Sequence, residues 1–169
     1  MRLLNLLLDN DCEIHLEPFN EQFSEAYRIL RNREDNRSYF FNNVLISKEQ
    51  QAKWYRKYLK DDSQKMYAII ANDTNVFLGA IGFYDYDDSE GTAEVGRIIV
   101  DKEIAVGRGY GAIAINKLLM IMNSDYGINY AYAYIFRDNI ASIKSFFKAG
   151  FYLDENYIGD NKVKMIWKK

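Results

Sequence analysis

Apolar and polar positions follow two rhythms along this chain, with periods of about two and about 3.6 residues, and each change of rhythm predicts an element boundary. Residues 2–8 and 12–17 read as two short strands about the turn-forming Asp9-Asn10-Asp11. Asn20 is a favourable N-cap, and Phe23, Ala26, Tyr27 and Leu30 follow the i, i+3, i+4, i+7 spacing of one buried helix face, which frays in the polar stretch after Arg31. Ser47-Lys48-Glu49-Gln50 forms a capping box, in which the serine hydroxyl and Gln50 satisfy each other's backbone amides. It opens a second helix with Gln51, Trp54, Tyr55 and Tyr58 on one face.

Period-two stretches follow. Met66–Ala71 and Val76–Tyr86 are strands broken at Asn72-Asp73 and at the acidic run Asp87-Asp88-Ser89-Glu90-Gly91, and Glu94–Val100 is a third. A strongly apolar helix runs from Gly109 to near Met122, and Asn129–Phe136 is a strand with tyrosines on one face and alanines on the other. The helix Asn139–Ala149 turns Ile140, Ile143, Phe146 and Phe147 to one side, and Gly150 suits its C-terminal stop. Tyr152–Ile158 and Lys162–Trp167 close the chain as strands about Gly159-Asp160-Asn161. This order predicts a mixed α/β (α+β) sheet flanked by helices.

A length of 169 residues suits a single domain spanning 1–169, and 49% hydrophobic residues supply one sizeable core. Basic and acidic residues number 22 and 24, which disfavours a nucleic-acid binder working by phosphate neutralisation. One cysteine, Cys12, and one histidine, His15, exclude an intrachain disulfide and the common zinc sets, so no metal is expected. The acidic residues Asp85, Asp87, Asp88 and Glu90 do not make a calcium loop, since Glu90 stands where its glycine belongs. Leu3–Leu8 is shorter than a secretory apolar region and no run reaches the roughly 18 apolar residues of a membrane span. A cytoplasmic protein without membrane contact is the expectation.

Gly107-Arg108-Gly109-Tyr110-Gly111-Ala112 lies between a strand and a helix, where glycines permit positive φ and the unpaired amides of a helix start can cradle a phosphate. Glycines serving helix entry alone are the plain alternative. The letters satisfy a loose dinucleotide fingerprint, but too little chain follows for further βαβ units, and Asp138 comes too late for the ribose carboxylate. A P-loop is excluded because no Gly-Lys-Ser/Thr occurs.

Ala93-Glu94-Val95-Gly96, a strand ending at Val100, then Arg108-Gly109-Tyr110-Gly111-Ala112, then Asn139-x-x-Ser142-Ile143-x-x-Phe146-x-Lys148-x-Gly150-Phe151 together resemble the GNAT superfamily of acetyl-CoA-dependent N-acetyltransferases. The resemblance covers roughly residues 12 to 169. It implies a mostly antiparallel twisted sheet with splayed central strands, and acetyl-CoA as cosubstrate. Ile98, Ile99 and Val100 would hold pantetheine and acetyl, Val106 to Ala112 (Val106, Gly107, Arg108, Gly109, Tyr110, Gly111, Ala112) the phosphates, and Asn139 would touch the pantetheine. Two positions depart from the family pattern: Val106 stands for its Gln or Arg, and Phe146 for the tyrosine that often protonates the departing thiolate.

Acetyl transfer needs a neutral amine, donors for an oxyanion and relief of charge on sulfur. Glu94 is the candidate base, with a cross-strand charge partner as its alternative role, and backbone amides around Ile99 are the candidate oxyanion donors. Tyr130, Tyr132, Tyr134 and Tyr152 are equal candidates for the acid. For the acceptor, Leu30-Arg31-Asn32, Asn36-Arg37, Ile46-Ser47 and Gln51-x-x-Trp54 resemble the GNAT branch that acetylates nucleotide-linked amino sugars, although that branch commonly has histidine where Gln51 stands. That resemblance implies a 4-amino sugar nucleotide held by Arg31, Arg37, Gln51 and Trp54, with a helix-end charge cluster as the alternative role of the two arginines; a monomer or homodimer is expected. The ribosomal-protein or peptide N-terminal branch, a polyamine acetyltransferase and a catalytically weak acyl-CoA-binding module stay open beside it.

Overall fold

Alternating burial along the strands builds one seven-stranded sheet with a helical layer on each face. The structure, a computed structural model, describes residues 13–105 and 107–169; the expected strand over residues 2–8, Cys12 and Val106 lie outside the described residues. In chain order the elements are β1 (Ile14–Pro18), α1 (Glu21–Asn32), α2 (Glu34–Arg37), α3 (Lys48–Tyr58), β2 (Lys65–Ala71), β3 (Phe77–Asp87) and β4 (Thr92–Val100). Then come α4 (Lys102–Ala105), α5 (Tyr110–Tyr126), β5 (Tyr130–Phe136), α6 (Ile140–Lys148), β6 (Tyr152–Leu153) and β7 (Lys162–Lys168). The sheet order is β1-β2-β3-β4-β5-β7-β6, antiparallel throughout except between β4 and β5.

The period-two pattern assigns each strand residue to a face. On β2, Met66, Ala68 and Ile70 pack with Phe19, Phe23, Tyr27 and Leu30 beneath α1 and α3, whereas Tyr67, Ile69 and Ala71 join the core under α5 and α6. On β5, Ala131 and Ala133 are fully buried in that second core, against residues such as Leu118, Met122 and Phe146. The tyrosines of β5 face the other way and are half-buried.

The helix starts form as the sequence predicts. Asn20 accepts from the Gln22 amide, and Ser47 and Gln50 exchange both bonds of the capping box. Two short helices were not legible. After Arg31 the chain does not simply fray: α1 continues to Asn32 and α2 follows, its buried Asn36 donating to the Leu30 carbonyl at 2.9 Å. α4 starts where the Asp101 carboxylate accepts from the Glu103 amide at 2.9 Å and from Arg33 Nη1 at 3.0 Å. The strand expected over Tyr152–Ile158 stops at Leu153, because Asp154 accepts from the Asn156 amide and the Tyr157 amide returns to the Asp154 carbonyl, turning the chain.

Candidate active site

β4 and β5 pair only at Thr92, Ala93 and Glu94, opposite Tyr130, Ala131 and Tyr132. Past Glu94 the two strands part. Against β3, Gly96 sits opposite Gly82 while Ile99 sits opposite Ala80, so β4 carries one extra residue, a bulge at which Arg97 takes a φ of 53°. A bulge increases local bend and twist, and this one lies where β4 leaves its parallel neighbour. Between the parted strands opens a cleft of about 980 Å3, lined by Val95 to Val100 on one side and Ala133 to Phe136 on the other. The segment Tyr39–Asn42 and residues of the α5 and α6 starts complete its walls.

At one end of the cleft Gly107 and Gly109 have φ of 73° and 72°, the left-handed region that L side chains enter at a cost of roughly 1 kcal/mol or more. A Cβ on either would meet nothing within 4 Å. Gly109 is the N-cap of α5 and supplies no side-chain bond to the helix start. The first-turn amides after it therefore keep unsatisfied donors beside open space, an arrangement that binds phosphate. Gly107, Gly109 and Gly111 are among the residues that line the cleft.

Tyr84 of β3 also lines the cleft, and its hydroxyl donates to Glu94 Oε1 at 2.7 Å. Glu94 itself is only 7% exposed, and its burial pushes the carboxyl above the usual carboxylate range, with the Tyr84 hydrogen bond pulling the other way. Burial, then the adjacent Glu94 charge, push the Tyr84 phenol above its ordinary range. Arg97 stacks its guanidinium 4.7 Å from the Tyr84 ring centroid and donates to Gln64. Gly96 makes this possible: a Cβ there would stand 2.6 Å from the Tyr84 hydroxyl.

Most of the residues singled out for the cosubstrate come together here. Ile98, Ile99, Val100, Gly107, Gly109, Tyr110, Gly111 and Asn139 all line the cleft. Asn139 caps α6 through its side-chain oxygen, 3.2 Å from the Ser142 amide. Arg108 and Ala112 do not line it: Arg108 bonds the Tyr110 hydroxyl at 3.1 Å beside Glu13, and Ala112 is buried. The Ile99 carbonyl lies against β3, where a Cβ on Gly79 would approach it to 1.9 Å. An amide shares the direction of its residue's carbonyl on a regular antiparallel strand, so the Ile99 amide faces β3 and that of the following Val100 faces away from it.

The acceptor residues divide. Arg31 lines the cleft, but Arg37, Gln51 and Trp54 do not. Gln51 is buried between α1 and α3, its Nε2 donating to Ser24 Oγ at 3.0 Å, and Trp54 stacks between Tyr27 and Tyr58 in the aromatic cluster beneath those helices. The shared helix face that drew attention to them is a packing face. Of the four candidate tyrosines, Tyr134 alone lines the cleft; Tyr152 lies on the edge strand β6. Phe146 is 1% exposed and packs edge-on against Phe151 at 4.9 Å, so a buried ring occupies the position of the family's acid. Tyr84 was missed from sequence because its partnership with Glu94 depends on the register of β3 and β4, which no local pattern reveals. Among the described residues no cluster of metal-ligating side chains occurs, and no helix is long and apolar enough to cross a membrane.

No curated protein matches the chain by sequence. Among solved structures it is similar to a spermidine N-acetyltransferase from Vibrio cholerae in complex with CoA and spermine, with 17% identity, a TM-score of 0.80, and 92% of this chain and 95% of that one covered. It is also similar to a domain from Methanocaldococcus jannaschii, with 18% identity, a TM-score of 0.78, and coverage of 93% and 99%. The profile described as the acetyltransferase (GNAT) domain matches residues 13–152. With a splayed sheet and a family profile over most of its length, the chain belongs to the GNAT acetyltransferase family and is an acetyl-CoA-dependent N-acetyltransferase.

Proposed function

We propose that the acceptor is a small molecule whose primary amine enters the cleft beside Tyr84, and that Tyr84 passes the amine's proton to Glu94. The observation that carries this reading is the 2.7 Å bond from the hydroxyl of a cleft-lining tyrosine to a buried carboxylate. A direct encounter between amine and Glu94 is thereby replaced by a two-bond path: the Tyr84 oxygen accepts the amine proton while its own proton moves to Glu94 Oε1. Tyr84 starts and ends neutral, in keeping with the upward push on its phenol. Bound acetyl-CoA supplies an activated acyl carbon and a sulfur leaving group. In this reading the Val100 amide would donate to the oxyanion, and Tyr134, which lines the cleft, would supply the hydroxyl that Phe146 lacks.

Substituting Tyr84→Phe should lower kcat by roughly 10-fold to 10²-fold without weakening acetyl-CoA, because it removes the link but leaves the carboxylate. Steady-state CoA release with calorimetry on acetyl-CoA checks this, and unchanged kcat would refute the relay.

A polyamine acceptor is the second reading, favoured by the spermidine acetyltransferases among the similar folds. Against it, the described residues lining the cleft include Arg31, Arg97 and Lys102 and one carboxylate, Asp138, a balance unfavourable to a polycation. A nucleotide-linked amino sugar suits those cations, but it rested partly on Gln51 and Trp54, which lie elsewhere. Turnover of spermidine against neutral and acidic amines separates the readings.

A further inference from the structure

Arg31, in the last turn of α1, is 5% exposed although it carries a full charge. Its Nη2 donates to the Asn42 carbonyl, and its guanidinium carbon sits 3.9 Å from the centroid of the Phe40 ring. Its Nη1 is buried and has no hydrogen-bond partner among the described residues. Among the described residues no carboxylate offsets the charge: burial lowers the guanidinium's pKa, and the ionisable groups acting on it are Tyr27 and the like-charged Arg37. A guanidinium does not escape by losing its proton, so a buried and half-satisfied one is costly wherever nothing anionic joins it.

The same side chain lines the cleft that holds Tyr84 and the parted stretch of β4. We propose that Arg31 docks an anionic group of the acceptor, a carboxylate or a phosphate, through Nη1, so that the molecule acetylated is an amine that also bears an acid. This inference rests on the reading above that the acceptor occupies this part of the cleft. The segment Tyr39–Asn42, which contributes both observed partners of Arg31, yields to admit the oxyanion. Planar N–H pairs match a carboxylate or phosphate edge. The expected selectivity opposes a polyamine acceptor, which brings only positive charge.

Turnover is measured at saturating acetyl-CoA and binding on the CoA-saturated enzyme, so that the cosubstrate site is filled, with two matched pairs of amines: β-alanine with its amide, and phosphoethanolamine with ethanolamine. Spermidine is the polycationic control. The acidic member of at least one pair should be preferred in kcat/KM by roughly 30-fold or more, mainly through KM, and Arg31→Met should abolish that preference. The pair that responds tells carboxylate from phosphate. Equal use of acidic and neutral members, preference for spermidine, or a preference that survives Arg31→Met would overturn the inference and leave the acetyltransferase intact. Calorimetry with acetate and inorganic phosphate gives a readout independent of turnover: binding lost in Arg31→Met supports the site, and no binding, or binding indifferent to Arg31, refutes it. If no amine releases CoA yet phosphate or acetate binds through Arg31, the acceptor reading fails and the anion site stands. Should Arg31→Met not fold, Arg31→Lys replaces it, with the preference expected to fall several-fold and an unaltered preference counting against the site.

Discussion

Glu94→Gln should lower kcat by roughly 10²-fold to 10⁴-fold while acetyl-CoA binds as tightly as before. Glutamine keeps the size and the capacity to accept from the Tyr84 hydroxyl, and it removes only basicity. Because burial raises the Glu94 pKa, the parent enzyme's kcat/KM should climb with pH along a limb displaced above the ordinary carboxylate range. The variant should lose that limb and keep only the acceptor amine's own titration. Stability moves in the opposite sense. A carboxyl whose folded pKa lies above its unfolded value near 4.3 favours the fold below that value and loses this contribution as pH rises through the folded one. At neutral pH the glutamine variant should therefore melt no lower than the parent, and the gap should close on acidification. An unchanged rate with an unchanged pH profile would make Glu94 a structural residue.

Gly109→Glu should weaken acetyl-CoA by at least about 10-fold while leaving a folded protein. The substitution costs roughly 1 kcal/mol or more for forcing an L residue into the left-handed region, a loss a domain of this size tolerates. The new side chain meets no protein atom within 4 Å of its Cβ, so it fills the space before the α5 amides and sets a negative charge where the pyrophosphate is expected. Gly109→Ala separates the causes: it shares the backbone cost and should retain most of the affinity. Calorimetric titration of both variants, with melting curves as a fold control, checks this. Equal affinity in the glutamate variant would move the phosphate site elsewhere.

The elements set by local rules were legible in the sequence. Capping at Asn20 and Ser47, the Tyr/Ala alternation of β5 and the positive-φ glycine turn into α5 depend on neighbours a few residues apart, and each forms as its pattern predicts. What depends on register was hidden. The bulge at Arg97, the fit of the Tyr84 ring over Gly96 and the hydroxyl's bond to Glu94 all require β3 and β4 to be aligned first. Gln51 and Trp54 show the converse error: a polar and an aromatic residue on one helix face look like a binding surface, but two facing helices bury them in an aromatic cluster. Arg31 was singled out for its charge, and its significance lies in a burial and an unpaired nitrogen that only the packing of Phe40 and Asn42 against it creates.

The central claim is that this cleft transfers an acetyl group to an amine using Tyr84 and Glu94. It is tested most directly by following CoA release and acetylated product together, by mass spectrometry, over the amine panel in the parent and Glu94→Gln enzymes. The parent should yield acetylated amine and free CoA in equal amounts, and both should fall together by roughly 10²-fold or more in the variant. Tight acetyl-CoA binding with no acetylated amine from any member of the panel, or equal product from both enzymes, would contradict it.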